Sequence, residues 1–461
     1  MPDSVRKYLR NRAVGAPWEL RGCRRRDFRG AVVLPALAEE QALPEALRAL
    51  AANPPELLVQ FLILVVVNNR SSTAADFREE NQRVLRRLAA PDPSWATLRL
   101  AWVDAASPGL ELPDKDGVGL ARKIGFDLVL THLDWSGDPL LVSLDADTLV
   151  QPDYLPALVA HFRDNPAGGA VIPFQHRRAL TPAAQEAIDL YELYLRHYVL
   201  GLRLAGSPYA YASVGSALAC RASAYVAAGG MNRRTAGEDF YFLQQLAKTG
   251  GVAQVRGTLV HPAPRVSTRT PFGTGPSVAA LQRGEAGGVR FYSVHSFEVL
   301  RRWLELARVL GARPGEEALA AARDLSPVLA DFLRRNAFAQ VWERLRLQHQ
   351  GAPARLNKAF HEWFDALKTR QLLFQLCEAH GLWGSAAEIL PPLLARAGLE
   401  SQGNIGTYLA LLRGIQNSSS QPEGKEVAYV RQSFASGAGL VPDGSPQGPA
   451  QAPHGATRPP G

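Results

Sequence analysis

Between residues 30 and 175 the apolar positions of the chain switch repeatedly between two periods. Short, nearly unbroken apolar runs read as buried strands: "GAVVLPA" (30–36), the run ending at 67 in "LLVQFLILVVV", "TLRLAWVDA" (97–105), "PLLVSLDAD" (139–147) and "GGAVIPFQ" (168–175). The segments between them, 41–52, 72–89, 117–133 and 152–163, repeat their apolar residues every three or four positions and read as helices. In 72–89 the apolar side carries Leu85 and Leu88; in 117–133 it carries Leu120, Ile124, Leu128 and Leu130. Regular β-α-β-α alternation of this kind predicts a mainly parallel sheet covered by helices on both faces. Such sheets gather ligands outside the carboxyl ends of their strands.

The pattern then changes. A long helix is predicted over 182–206, with Tyr191, Tyr194 and Tyr198 on adjacent turns. That stripe fits core packing; an acceptor-binding wall is the functional alternative. Residues 212–230 read as a strand and a short helix closed by glycine. A further helix opens at Glu238 and Asp239, with Phe240, Leu243 and Leu246 on its inner side. Beyond "TPFGTGPS" (270–277) the alternation stops, and from about 288 to 415 helical spacing prevails, as in Leu356, Phe360, Phe364 and Leu367. The last stretch, rich in Ser, Gly, Pro and Gln, has the composition of a disordered tail. The predicted organisation is a basic arm (1–28), an α/β domain (29–285), a helical domain (286–415) and the tail (416–461).

Composition changes this picture little. The 461 residues are 46% hydrophobic and 20% charged, as expected of a chain that buries a real core. The net charge of +8 is concentrated early, in Arg6, Lys7, Arg10, Arg12, Arg21, Arg24, Arg25, Arg26 and Arg29. This stretch reads either as a solvated arm or as a patch resting on anionic lipid or glycan; nothing in it points to nucleic acid. Cys23, Cys220 and Cys377 match no metal-ligand spacing and suit free thiols in a reducing compartment. No apolar segment has the length of a membrane span. The expected location is cytoplasmic, with peripheral contact to the inner face of the membrane through the arm.

Three groups of residues carry candidate chemistry. In "LLVSLDADTLVQPDYL" (140–155) an apolar strand ends in Asp145 and Asp147. Two carboxylates about 4 Å apart repel by roughly 4 kcal/mol at an effective dielectric of about 20. A partly buried pair therefore calls for a cation or strong donors, and Asp-x-Asp suits a hard divalent ion. The bland alternative is a turn with Asp147 capping the next helix. Glu238 and Asp239 either complete a capping box with Thr235 or place a general base at a cleft. In "VHPAPRVSTRTPFGTG" (260–275), His261 is followed by Arg265 and Arg269, spaced to pair with a diphosphate.

Taken together, the motifs over about residues 30–280 resemble a family 2 glycosyltransferase with the GT-A fold. "VVLPALAEE" resembles the opening strand and its turn, with Pro35 and Glu39 in place and Ala38 where Asn is usual. "VVVNNRSST" resembles the second strand end, with Asn69 or Asn68 where an Asp commonly reads the base. "GVGLARKIG" keeps Arg122 and replaces an Asn by Lys123; "SLDADT" and "GEDF" match the family's acidic motifs. The resemblance implies a GT-A, Rossmann-like, mainly parallel sheet and a metal-dependent, inverting, non-processive sugar transfer from a nucleotide-sugar donor to a glycan, lipid-linked or small-molecule acceptor. It implies donor contacts from Pro35, Glu39, Asn69, Arg122, Asp145, Arg265 and Arg269. Asp147 and His261 would hold Mn²⁺ or Mg²⁺. Asp239 would be the base, and Glu238 would orient the acceptor. Neither the Q-x-x-R-W motif nor the membrane helices of processive family members are present.

Competing readings fit less well. A haloacid-dehalogenase phosphatase wants Thr or Val where Leu149 stands, and carries its Asp pair after the first strand rather than the fourth. A nucleotidyltransferase would carry a glycine-rich loop in place of "PALAEE". An inactive, GT-A-like carbohydrate-binding or scaffolding protein is the non-enzymatic alternative, suggested by the departures at Ala38, Asn69 and Lys123.

Overall fold

The computed structural model describes residues 1–90, 92–264, 289–311, 313–399 and 402–417. The expected tail falls almost wholly outside them. Residues 1–420 cluster as one compact unit.

The strands are β1 (Gly30–Ala36), β2 (Phe61–Asn68), β3 (Arg99–Ala105), β4 (Leu140–Ser143), β5 (Leu149–Val150), β6 (Gly169–Val171), β7 (Leu218–Arg221), β8 (Val252–Gln254) and β9 (Val260–His261). Seven of them form one sheet in the order β3-β2-β1-β4-β7-β6-β8. Val32 of β1 lies beside Ile63 on one side and Val142 on the other, all in parallel register. Only β7 runs against its neighbours β4 and β6. The α/β, mainly parallel expectation therefore holds. All eight residues of β2 are buried, which is why this strand reads as a continuous apolar run rather than an alternating one. β5 and β9 form a separate antiparallel ribbon that sets Leu149 opposite His261.

Alternate residues of the central strands feed two cores. Val32, Leu34, Ile63 and Val65 face the helices Leu43–Ala51, Ala75–Ala89 and Tyr154–Asp164. Val33, Leu64 and Val66 face Val118–Val129, Ala222–Ala227 and Glu238–Thr249. A third core joins the long helix Pro182–Leu204 to the helices between Val294 and Asn417, around Trp303, Phe338, Trp342 and Phe360. Leu193, Leu200 and Leu202 of the long helix belong to it. Among the described residues, no helix is long and apolar enough to cross a membrane.

The N-terminal stretch is not a loose arm throughout. Asp3–Asn11 is a helix with Val5 and Tyr8 buried and Arg6, Lys7 and Arg10 turned outward. Its Tyr8 hydroxyl donates to Asp127 Oδ1 at 2.8 Å, and Lys123 Nζ lies 2.8 Å from Asp127 Oδ2. Tyr225 and the Val14 amide also donate to that buried carboxylate. Lys123, a departure from the family pattern, thus serves this clamp.

Candidate functional site

The loops at the carboxyl ends of β1, β2 and β4 open on a cavity of about 990 Å³, at the upper end of the range for small-molecule sites. Among the predicted site residues, Pro35, Glu39, Asn69, Arg122, Asp145, Asp147, Glu238 and Asp239 all line it. They come from five separate parts of the chain, so the fold brings together what the sequence scatters.

β4 ends at Ser143, earlier than the pattern suggested. The Leu144 amide still donates to Val33 O at 3.1 Å, and the chain then turns with Thr148 N donating to Asp145 O at 3.0 Å. This turn aims both aspartates at the cavity. Asp147 does not cap the following helix, whose N-cap is Asp153.

Arg122 is the hub. Its helix, Val118–Val129, sits under the sheet's end, and its guanidinium is 2% exposed. Nε donates to Ser143 Oγ at 2.9 Å, while the two terminal nitrogens donate to Glu238 Oε1 and Asp145 Oδ1. Burial works against this charge, but Asp145, Glu238 and Asp239 outweigh it and raise the guanidinium pKa. A Cβ on Gly215 would lie 2.4 Å from the same guanidinium, so glycine is what lets the 212–217 loop pass over it. Gly119 has the same function: a Cβ there would lie 2.6 Å from Arg234 O and 2.7 Å from Asn232 O. The loop leading to Glu238 therefore rests directly on the Arg122 helix.

The helix Glu238–Thr249 starts at Gly237, which has φ of 70° and no side-chain cap. The Thr235–Glu238 capping box does not form. Glu238 is 4% exposed and is held by Arg122 instead. Burial pushes its carboxyl pKa up, against the pull of Arg122. Asp239 is half-buried at the cavity wall; desolvation raises its pKa while Arg122 and the Phe240 amide lower it. Its Oδ1 accepts from Phe240 N at 2.8 Å. Phe240 also faces the cavity, and Phe242 takes the core place expected of it.

Asn69 is not free to read a base in the way an exposed Asp would be. Its Nδ2 donates to Arg70 O and Ala106 O, and its Oδ1 accepts from Asn81 Nδ2 at 2.8 Å. Asn68 donates to Ala36 O and Val66 O. Asn81 Oδ1 accepts from Ala38 N at 2.9 Å, fixing a turn in which Ala38 has φ of 53°. That left-handed conformation suits Asn better than Ala, so the substitution leaves the turn's shape unchanged at some strain.

His261 lies on β9 with Nδ1 3.2 Å from Gln175 O. Its neighbours Pro262 and Ala263 line the cavity, and it does not. Arg265 and Arg269 lie outside the described residues. Among the described residues, no group of three or more His, Cys, Asp or Glu side chains is arranged to hold an ion.

Much of the remaining wall was not legible as function. Tyr191, Tyr194 and Tyr198 line the cavity, and Tyr194 and Tyr198 also pack on the third core, as the core-packing reading of the stripe expected. Tyr209, Tyr292, Arg370 and Trp383 join them from loops and the helical region. His176 lines it too, with Nδ1 2.8 Å from Glu192 Oε2. Glu192 is also held by Arg196 and Arg413. Only a contact across more than 200 residues, invisible to spacing, gives Glu192 its Arg413 partner.

Residues 140–309 match Glycosyl transferase family group 2. A comparison with curated proteins yields no match. Among solved structures the chain is similar to S. aureus TarS 1–349 in complex with UDP-GlcNAc, at 13% identity, over 73% of this chain and 91% of that one, with a TM-score of 0.36. It is similar to mannosyltransferase PcManGT from Pyrobaculum calidifontis in complex with GDP-Man and Mn²⁺, at 16% identity, over 78% and 92%, with a TM-score of 0.35. M. tuberculosis glucosyl-3-phosphoglycerate synthase aligns at 15% identity, over 64% and 83%, with a TM-score of 0.33.

Proposed function

Starting from a chain that is, by its motifs and the match over residues 140–309, a glycosyltransferase of family 2, we infer that it moves a sugar from a nucleoside-diphosphate donor to an acceptor hydroxyl with inversion. One observation carries this reading. Asp145, Asp147, Arg122 and Asp239, drawn from three separate segments, wall a single cavity at the carboxyl end of a mainly parallel sheet.

Asp239 suits a general base. It is open to the cavity, and its raised pKa brings it closer to the working pH than an ordinary aspartate. It takes the acceptor's hydroxyl proton as that oxygen bonds to the anomeric carbon. The bond from that carbon to the diphosphate breaks, and its electron pair leaves with the nucleoside diphosphate. Approach from the face opposite the leaving group inverts the carbon. Glu238, engaged by Arg122, acts as a positioning residue for the Asp239 loop. Asp145 faces the ribose or diphosphate side, fixed by Arg122.

The donor set fits a divalent ion, Mn²⁺ or Mg²⁺. Such ions sit in active sites on one or two carboxylates plus substrate phosphates rather than in all-protein cages. Asp147, with Asp145 two residues before it, would hold it; His261, which does not line the cavity, is proposed there by the resemblance alone. When bound, the ion supplies charge neutralisation at the diphosphate. By resemblance, Arg265 and Arg269 would add cationic charge there. Pro35 and Glu39 flank the nucleotide end. Transfer in one or a few steps, rather than extrusion of a polymer, is in keeping with a sequence that lacks the Q-x-x-R-W motif.

Thermal unfolding of the full chain with UDP or GDP, with and without Mn²⁺, tests the reading. Stabilisation is expected only when nucleotide and metal are both present, of about 2.7 kcal/mol at a hundredfold excess over Kd. Asp147→Ala removes the metal dependence. Asp239→Asn keeps the nucleotide response and loses sugar transfer. A wild-type chain indifferent to every nucleotide sinks the proposal.

A further inference from the structure

The far end of the cavity has a chemistry unlike the strand-end side. The long helix Pro182–Leu204 lies toward the β6–β8 edge: Arg203 donates to Gln254 of β8 at 3.0 Å, and Arg196 donates to Phe174 O just past β6. The nucleotide end at β1 and β2 is on the other side of β4 in the strand order. Beside the long helix the rings form a continuous wall. Tyr198 and Tyr292 have centroids 5.7 Å apart, Tyr292 and Trp383 5.0 Å, and Trp383 and Phe374 5.5 Å. Phe374 is 45% exposed, a large ring left open beside this wall.

Guanidinium groups face the wall. Arg370 lines the cavity and looks onto the phenols of Tyr194, Tyr198 and Tyr292. It is exposed, and it takes part in none of the ion pairs among the described residues. Arg290 sits at the same end, 4.5 Å over Trp383 and 3.3 Å from Glu378. A fork of N–H donors in a concave aromatic site is complementary to a phosphate or carboxylate, and the rings offer flat apolar area for the body of a ligand.

We propose that this end of the cavity is the acceptor subsite and that it selects a sugar or polyol carrying a phosphate or carboxylate, held by Arg370 with its body against Tyr198, Tyr292 and Trp383. The proposal rests on the transferase reading of the same cavity. It assigns Arg370 to binding and leaves the proton transfer at Asp239 as described.

Calorimetric titration of the full chain with glucose, glucose 6-phosphate, glucuronic acid and inorganic phosphate tests it. At least one charged sugar is expected to bind about ten- to a hundredfold more tightly than glucose, and the two charged sugars tell phosphate from carboxylate. Arg370→Gln, on an exposed side chain, is expected to erase that preference while leaving UDP or GDP binding intact; Arg370→Lys retains part of it. Equal binding of glucose and both charged sugars, or no binding by either charged sugar, overturns the proposal. So does a preference that survives Arg370→Gln, or a variant that loses nucleotide binding, which would place Arg370 at the donor end. Inorganic phosphate binding as tightly as the sugar phosphate also overturns it, since the aromatic wall would then contribute nothing. Failure of the wild type to bind UDP or GDP defeats the transferase reading instead, and the charged-sugar preference is scored separately from it.

Discussion

Arg122 satisfies two carboxylates at once and is itself almost sealed from water. Removing one partner of such a buried set leaves uncompensated charge, which typically costs about 3–5 kcal/mol. Arg122→Met is therefore expected to lower stability by an amount in that range, measured by urea unfolding, and to abolish the metal-dependent nucleotide response. Part of the loss should return in Arg122→Met/Glu238→Gln, because the stranded charge at Glu238 is then gone. Recovery to the level of the Glu238→Gln single variant would identify that charge as the source of the damage. Backbone bonds from Leu144 and Thr148 hold the β4 turn in either case, while the Asp145 carboxylate loses the donor that fixes it.

Among the elements, the Val118–Val129 helix and the loop before Glu238 meet backbone to backbone at Gly119. Gly119→Ala would force a methyl group to within 2.6 Å of Arg234 O, which is backbone and cannot swing aside. Overpacking of this kind costs about 1–3 kcal/mol. Sugar transfer, measured as turnover per folded molecule, should fall further than the stability loss alone explains, because the displaced loop carries Glu238 and Asp239. The elements themselves were largely legible beforehand. β1 has the bounds read from "GAVVLPA", the helices at 43–51 and 75–89 lie within the segments whose periodicity predicted them, and the helix at 154–164 overruns its predicted segment by one residue. The misreadings have local causes. Thr235 and Glu238 have the spacing of a capping box, yet Arg122, 116 residues away in sequence, competes for the Glu238 carboxylate and wins. Asn69 lines the cavity as expected, but the engagement of its Oδ1 by Asn81 from the next helix carried no signal in the sequence. Arg370 and Trp383 carry no motif at all; only the packing of the helical region against the long helix brings them to the cavity.

At the scale of the molecule, the third core contains a pH liability. His197, on the long helix, is fully buried; burial pushes its pKa down to about 4, against its hydrogen bond to Tyr292 O at 2.9 Å. Above about pH 6.5 the imidazole is neutral in both folded and unfolded chains and contributes no pH dependence. As pH falls from there toward 4, the unfolded chain takes up the proton and the folded chain does not, so stability is lost, by up to roughly 3 kcal/mol. The stability of the wild type relative to His197→Gln is thus expected to decline between pH 7 and 4.5, in denaturant titrations at each pH. A constant difference across that window would show that the imidazole titrates normally.

The helix Pro182–Leu204 belongs to two bodies of protein at once: it borders the cavity with Tyr194 and Tyr198, and it gives Leu193, Leu200 and Leu202 to the core of the helical region. A fragment trimmed back to the part that resembles a sugar-transfer domain would therefore be born with an oily seam along its longest helix and one side of its substrate chamber missing. What looks like an appendage in the primary structure is the other half of the vessel.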